Sequence, residues 1–413
     1  MPFLARTVRQ NPELIRSAVA FHQERRIPAN TLLLDFDAFL ENGRVLKDEA
    51  ERLGLRLYFM TKQHGRNPVV YGSLTADGRA STVAVDVQCA QALFGNSIPL
   101  GHVGNLCQVP DGDLDLVVGR MRPEVMSVFS LAKARAASAA ALRAGVIQDL
   151  LLRVRAAGDV VFPGMDGGFL PDELPATVEA IRALDGVRIV GVTTFPAVSY
   201  GDAHTPTLTP NFETLMRGAD IVRRAGAAVE QINAPGNTAV NVLELLASAG
   251  ATHVEPGSAL SGHTTFHLFD DGLPERPAAV YVTEVSHYVD GQAWTFGGGF
   301  FTDDPPVPEL ADFPERRLAL VGSDPDKVLG HSVRFLGIGT RGTGRFGGID
   351  YHGVLDVDEA SSSVGDTVVF GFRTQAFVTR TYVSVVRGLA EGRPRFGGLF
   401  DVQGRRLDPV THW

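Results

Sequence analysis

The sequence predicts an α/β protein: a (β/α)8 TIM-type barrel followed by a C-terminal all-β domain. Between about residues 31 and 260, short apolar runs rich in β-branched residues alternate with helical stretches. Strands separated by helices pair in parallel through βαβ units. About eight such units over this length favour a closed barrel over an open sheet. From about Pro274 strand-like runs continue without helices, punctuated by Gly and Pro, which is the pattern of an all-β domain.

A chain of 413 residues exceeds one ordinary core, and 44% hydrophobic with 21% charged residues is a globular composition. The expected division is a helical lead-in over 1–30, a barrel over 31–272 and a β domain over 273–413. Thr31–Phe36 is a strand followed by helix Asp37–Leu53, and it belongs either to the barrel or to the β domain. Arg56–Thr61, Thr82–Asp86, Ile98–His102, Leu114–Val118, Val125–Phe129, Asp149–Arg155, Arg188–Thr194, Val229–Asn233 and Thr252–Glu255 read as further strands. Leu131–Ala144 is an Ala-rich helix with Lys133, Arg135 and Arg143 on its polar face. In the β domain, strands are expected over Ala278–His287, Ala293–Phe296, Arg317–Leu320, Gly353–Val357, Thr367–Phe372 and Tyr382–Val386.

A net charge of -9 with no basic block argues against nucleic acid and anionic membranes as partners. The first thirty residues hold Arg6, Arg9, Arg16, Arg25 and Arg26 but no long apolar run, so neither a signal peptide nor a bilayer span is expected. Two cysteines, Cys89 and Cys107, in so long a chain suit a reducing compartment, and the cytoplasm is the expected location.

Only four of the 38 basic residues are lysines: Lys47, Lys62, Lys133 and Lys327. Three read as surface residues. Lys62 instead follows the apolar strand Leu57-Tyr58-Phe59-Met60-Thr61, and barrels project catalytic groups from the C-terminal ends of their strands. A partly desolvated amine there can condense with an aldehyde, or it is a strand-end lysine pointing to solvent. Two late turns follow the expected seventh and eighth strands: Asn233-Ala234-Pro235-Gly236-Asn237-Thr238 and Glu255-Pro256-Gly257-Ser258. Barrels often bind phosphate at that position, with Gly allowing backbone approach and Asn237, Thr238 and Ser258 supplying donors. The same residues also serve as plain helix caps. Glu255 either faces a heteroaromatic nitrogen and keeps it protonated, or pairs with an arginine. His102, at a strand end, either stacks on a cofactor or moves protons, or is a hydrogen-bonded core residue. No H-E-x-x-H or C-x-x-C spacing indicates a metal site, and no G-x-S-x-G elbow is present.

The segment Leu32-Leu33-Leu34-Asp35-Phe36-Asp37-Ala38, with Asn42 and then Lys62, resembles the opening of alanine-racemase-like (fold type III) pyridoxal-phosphate enzymes. The likeness continues through Gly191-Val192-Thr193-Thr194-Phe195, the Asn233 turn and Glu255-Pro256-Gly257. Met60-Thr61-Lys62-Gln63, Gly65-Arg66-Asn67-Pro68, Gly297-Gly298-Gly299 and Phe372-Arg373-Thr374-Gln375 are most similar to the YhfX group of that superfamily. The resemblance implies pyridoxal 5'-phosphate as cofactor, Lys62 as its Schiff-base lysine and Glu255 at the pyridine nitrogen. It implies a phosphate turn at Gly257 and Ser258, with His102, Asn233, Gly236, Asn237 and Thr238 in the cofactor site. It also implies a head-to-tail homodimer with shared active sites.

The chain departs from alanine racemases, which place Arg at the position of Glu255, and it lacks their tyrosine segments. Both cysteines precede residue 108, so the Cys of the related decarboxylases and of the metal-dependent members is absent. Elimination favours amino-acid racemisation or epimerisation. The second acid-base is expected at Tyr351, supplied by the partner with Asp350 nearby, or Tyr351 is a core aromatic of the β domain; Arg66 and Arg373 are candidates for a substrate carboxylate or phosphonate-like group, or form surface ion pairs. The alternatives are a decarboxylase or lyase on the same fold, or a non-catalytic cofactor-binding regulator.

Overall fold

The computed structural model describes residues 3–200, 205–300, 318–338 and 350–407. The chain divides into two compact units. One comprises Arg44–Lys62 and Tyr71–Gly257; the other comprises Met1–Gly43, Gln63–Val70 and Ser258–Trp413.

The first unit is a closed barrel of eight parallel strands: Arg56–Met60, Ala80–Ala84, Leu100–Val103, Val125–Val128, Gln148–Arg153, Val187–Thr193, Gln231–Asn233 and His253–Val254. Their residues are buried nearly throughout, as both faces of a barrel strand are covered by layers of side chains. The outer helices carry one apolar face. Leu131–Ala144 starts where Ser130 accepts from the Lys133 N–H at 3.2 Å and stops at Gly145, which adopts φ 65°. Its buried face is Ala134, Ala137, Ser138, Ala140 and Ala141, so the helix approaches the strands closely. Leu114–Val118 is not a strand. Asp115–Met121 is helical, with Val117, Val118 and Met121 buried; together with the buried Leu114 just before it they follow the i, i+3, i+4, i+7 spacing of a helix. A short β-branched run does not by itself distinguish the two periods.

Among its described residues the second unit holds a ten-stranded sheet and two N-terminal helices, Leu4–Gln10 and Pro12–Gln23. Six antiparallel strands close on themselves in the order Ala279–Val289, Gln292–Phe296, His352–Leu355, Ser332–Ile338, Leu318–Gly322 and Thr367–Phe370. Side chains alternate across this ring. Tyr281, Val285, Ala319, Val321, Val368 and Phe370 pack in one cluster, and Val280, Val282, Leu320 and Val369 pack on the other side with Leu14, Ile15, Ala18 and Val19. Thr31–Asp35 extends this sheet, antiparallel to Ala279–Val289 and parallel to Tyr382–Arg387. Its five residues are all buried, which suits a central strand. In this division the N-terminal helices and this strand group with Ser258–Trp413. Ser332–Ile338 and Arg395–Phe400 were not expected as strands: each is interrupted by Arg or Gly, and Gly397-Gly398 reads locally as a turn.

Two predictions follow from this packing. A methyl group at Gly191 would sit 1.9 Å from the Gln231 carbonyl oxygen, in the strand directly paired with it. Gly72, inside helix Pro68–Thr75, has nothing within 4 Å of the same position. Gly191→Ala should lower the thermal midpoint by several degrees, a cost on the order of 1–3 kcal/mol, whereas Gly72→Ala should leave it unchanged or raise it. Equal midpoints for the two variants would contradict the close pairing.

Burial pushes His22 and His253 down to about 4 and His64 down to about 3. Unfolding releases each to an ordinary value near 6.5, so the unfolded chain takes up protons first on acidification. Stability should be full above about pH 6.5 and fall towards pH 4. In His253→Gln the slope of stability with pH across that window should shrink by up to about one proton, measurable by denaturant titration at each pH; an unchanged slope would mean that His253 does not stay neutral.

Candidate active site

The barrel brings together the C-terminal ends of its seventh, eighth and first strands. The Met60 N–H donates to the Pro256 carbonyl at 2.9 Å, so the residues after the first strand run beside the Glu255-Pro256-Gly257 turn. Tyr71 donates to the Met60 carbonyl at 3.0 Å and supports the same point from outside. Lys62 follows two residues on, half-buried, at the start of the 3-10 turn Lys62–His64. The other three lysines are engaged with aspartates: Lys47 with Asp77 at 2.6 Å, Lys327 with Asp324 at 3.0 Å, and Lys133 with Asp111. Lys47 is not a surface residue but buried, and it also donates to the Leu74 carbonyl at 3.0 Å.

Glu255, one residue past the eighth strand, has a fully buried side chain. Its Oε1 accepts from Asn233 Nδ2 at 2.7 Å and lies 2.6 Å from His102 Nδ1; its Oε2 accepts from Asn105 Nδ2. The other nitrogen of His102 lies 2.6 Å from the Ser127 hydroxyl. This set joins the ends of the third, fourth, seventh and eighth strands. No arginine or lysine bonds Glu255 among the described residues, so the structural ion pair is not what holds it. Each oxygen accepts from an amide N–H. His102 is 0% exposed, with both ring nitrogens occupied within the network, which suits orienting Glu255 rather than exchanging protons with solvent. Asn105 and Ser127 went unnoticed in the sequence. Each stands at or just past a strand end, but nothing local marks them.

The seventh-strand turn is shaped by its neighbour. A methyl group at Gly236 would lie 2.6 Å from the Val198 carbonyl oxygen, and the Ala197 N–H donates to the Pro235 carbonyl at 2.8 Å. The glycine thus admits the Val198 main chain. Beside it, Asn237 Nδ2 and, at the end of the paired sixth strand, Thr193 Oγ1 are buried with no hydrogen-bond partner. Thr238 is buried, its N–H donating to the Gly236 carbonyl at 3.0 Å. Gly257 is buried as well.

The remaining candidates lie in the second unit. Ser258 opens the 3-10 turn Ser258–Ser261. Arg66 is 2% exposed; its Nη1 donates to the Val402 carbonyl at 2.8 Å and its guanidinium lies 5.7 Å from the Phe377 ring centre. Arg373 is half-buried, next to Thr374, which donates to the Gln63 carbonyl at 3.0 Å. Tyr351 is 59% exposed and is not a core aromatic. Arg380 covers one face of its ring at 5.2 Å and pairs with Asp350 at 3.1 Å.

Comparison with known proteins agrees with this architecture. The alanine racemase N-terminal domain family matches residues 34–265, and the YhfX-like C-terminal domain family matches residues 280–396. The uncharacterized protein YhfX of Escherichia coli (strain K12) is 36% identical over 406 residues, covering 98% of this chain and 99% of that protein. Among solved structures, D-threonine aldolase from Filomicrobium marinum superposes with a TM-score of 0.63 at 18% identity, over 92% of this chain and 96% of that one. Alanine racemase of Clostridium difficile 630, in complex with cycloserine, gives 0.61 at 14% identity, over 91% and 99%. Members of the family depend on pyridoxal phosphate. The residues here fit that group: a strand-end lysine, a buried carboxylate that no lysine or arginine bonds among the described residues, and two buried polar atoms with no hydrogen-bond partner, Asn237 Nδ2 at a late turn and Thr193 Oγ1 at the end of the sixth strand. By family match and full-length identity, the chain belongs to the alanine-racemase-like, fold type III family of pyridoxal-phosphate-dependent proteins, in its YhfX-like branch.

Proposed function

We propose that the chain is a pyridoxal-phosphate enzyme that moves a proton at the Cα of an amino acid or related amine, as a racemase or epimerase. The observation that carries this reading is Glu255, a fully buried carboxylate at the end of the eighth strand whose bonds come from two amides and His102. Lys62 is the residue that would hold the cofactor covalently. Asn237, Thr238, Gly257 and Ser258 are positioned in sequence to hold its phosphate, with Thr193 beside them. When bound, pyridoxal phosphate supplies an electron sink for the charge released at Cα. Glu255 holds a proton at the ring nitrogen through a charge-assisted hydrogen bond, with His102 and Asn233 fixing its Oε1. The Lys62 amine takes or returns the proton on one face of Cα. Closure of the strand ends around buried side chains excludes water from the exchange.

Borohydride treatment of the purified protein followed by peptide mapping should place the cofactor on Lys62, and Lys62→Ala should lose the visible absorption of the lysine-bound cofactor while remaining folded. Attachment at Lys47, Lys133 or Lys327 would overturn the assignment. Incubation with D- and L-amino acids and aminophosphonates in heavy water should exchange the Cα proton and yield the opposite enantiomer. Glu255→Gln should keep the cofactor and slow exchange by on the order of 10²-fold. A decarboxylated or cleaved product would replace the racemase reading with a lyase; cofactor binding without any exchange would indicate a regulator.

Tyr351 suits the role of second acid-base supplied from another subunit, since it is exposed in the single chain with Arg380 against one face. Arg373 is the better placed of the two arginines for a substrate carboxylate, because Arg66 is buried against the Val402 carbonyl. Mixed dimers of Lys62→Ala with Tyr351→Phe should recover part of the activity that each variant loses. Subunit exchange without recovery would remove Tyr351 from the mechanism.

A further inference from the structure

Asn105 lies two residues past the third barrel strand, and none of the roles above uses it directly. It is 3% exposed. Its main-chain carbonyl accepts from Arg153 Nη1 at 2.9 Å, and Arg153 also donates to the Met165 carbonyl at 2.6 Å. The Arg153 guanidinium stands 4.8 Å from the Phe129 ring centre and is itself 3% exposed. The segment carrying Asn105 is thus clamped by a buried cation that bonds its backbone and not the carboxylate.

The Asn105 side chain bonds Glu255 Oε2, the oxygen that neither Asn233 nor His102 reaches. A carboxylate bonded at one oxygen only can turn about its last torsion; bonded at both, it is held in one plane. The residue type matters as much as the place. An amide donates but carries no charge and no transferable proton. Lysine or arginine at 105 would neutralise Glu255, and aspartate would force the two carboxylates to share a proton. Asparagine fixes the carboxylate and leaves its negative charge unspent.

We infer that Asn105 is a positioning residue that acts through Glu255, holding it in the single orientation in which it can face a protonated heterocyclic nitrogen. The inference rests on the role given to Glu255 above. Two measurements separate them. In the cofactor-free protein at neutral pH, the infrared spectrum of the isosteric Asn105→Asp variant should gain a protonated-carboxyl band that is missing from the wild type and from Asn105→Asp/Glu255→Gln. In the holoenzyme, Asn105→Ala should slow Cα exchange by roughly 10- to 100-fold, and Asn105→Ala/Glu255→Gln should be no slower than Glu255→Gln alone. No new band in Asn105→Asp, or multiplied losses in the double variant, would overturn the inference. Should the wild type exchange no Cα proton, the role of Glu255 in the reaction fails, and the infrared result still decides whether Asn105 governs its ionisation.

Discussion

The site depends on how the barrel closes. Its eighth strand, His253–Val254, is only two residues long, yet it pairs with the first strand through Arg56 and Leu57 and with the seventh through Asn233. Immediately beyond it the chain must place Glu255 inside and Pro256 against Met60. Because parallel strands all end on the same side, this closure gathers a lysine, a carboxylate and two amide side chains at one mouth. A longer eighth strand would carry the carboxylate past its donors.

Burial then determines chemistry. A carboxylate removed from water costs several kcal/mol unless its oxygens are bonded, and here the compensation comes from Asn105, Asn233 and His102, with Ser127 completing His102. Two of these donors are amides, which satisfy the oxygens without bringing a charge of their own. The network is spread over four strands, so its geometry is as rigid as the barrel itself.

The barrel was legible because its signals are local: apolar runs of strand length, helices between them and Gly-containing turns after the last two strands. The position of Lys62 at a strand end and of Glu255 past the eighth strand could be read the same way. Thr31–Asp35 could not be assigned between units, since its pairing with Ala279–Val289 joins residues far apart in sequence. Leu114–Val118 was misread because five apolar or β-branched residues fit either period. Asn105 and Ser127 stayed hidden for a third reason: a polar residue near a strand end acquires a role only from side chains arriving on other strands. At Gly236 the structure adds what the turn motif could not show, the Val198 main chain lying against it.

The scarcity of lysine has a chemical corollary. An aldehyde condenses with any accessible amine, so a protein that handles one risks adducts over its own surface. This chain carries its basic charge almost wholly on guanidinium groups, which do not form stable imines under the same conditions, and it ties three of its four side-chain amines to aspartates. At Lys327 the hydrogen bond and charge of Asp324 raise the pKa of the amine above its ordinary value. The sequence as a whole thus offers an aldehyde cofactor few competing amines.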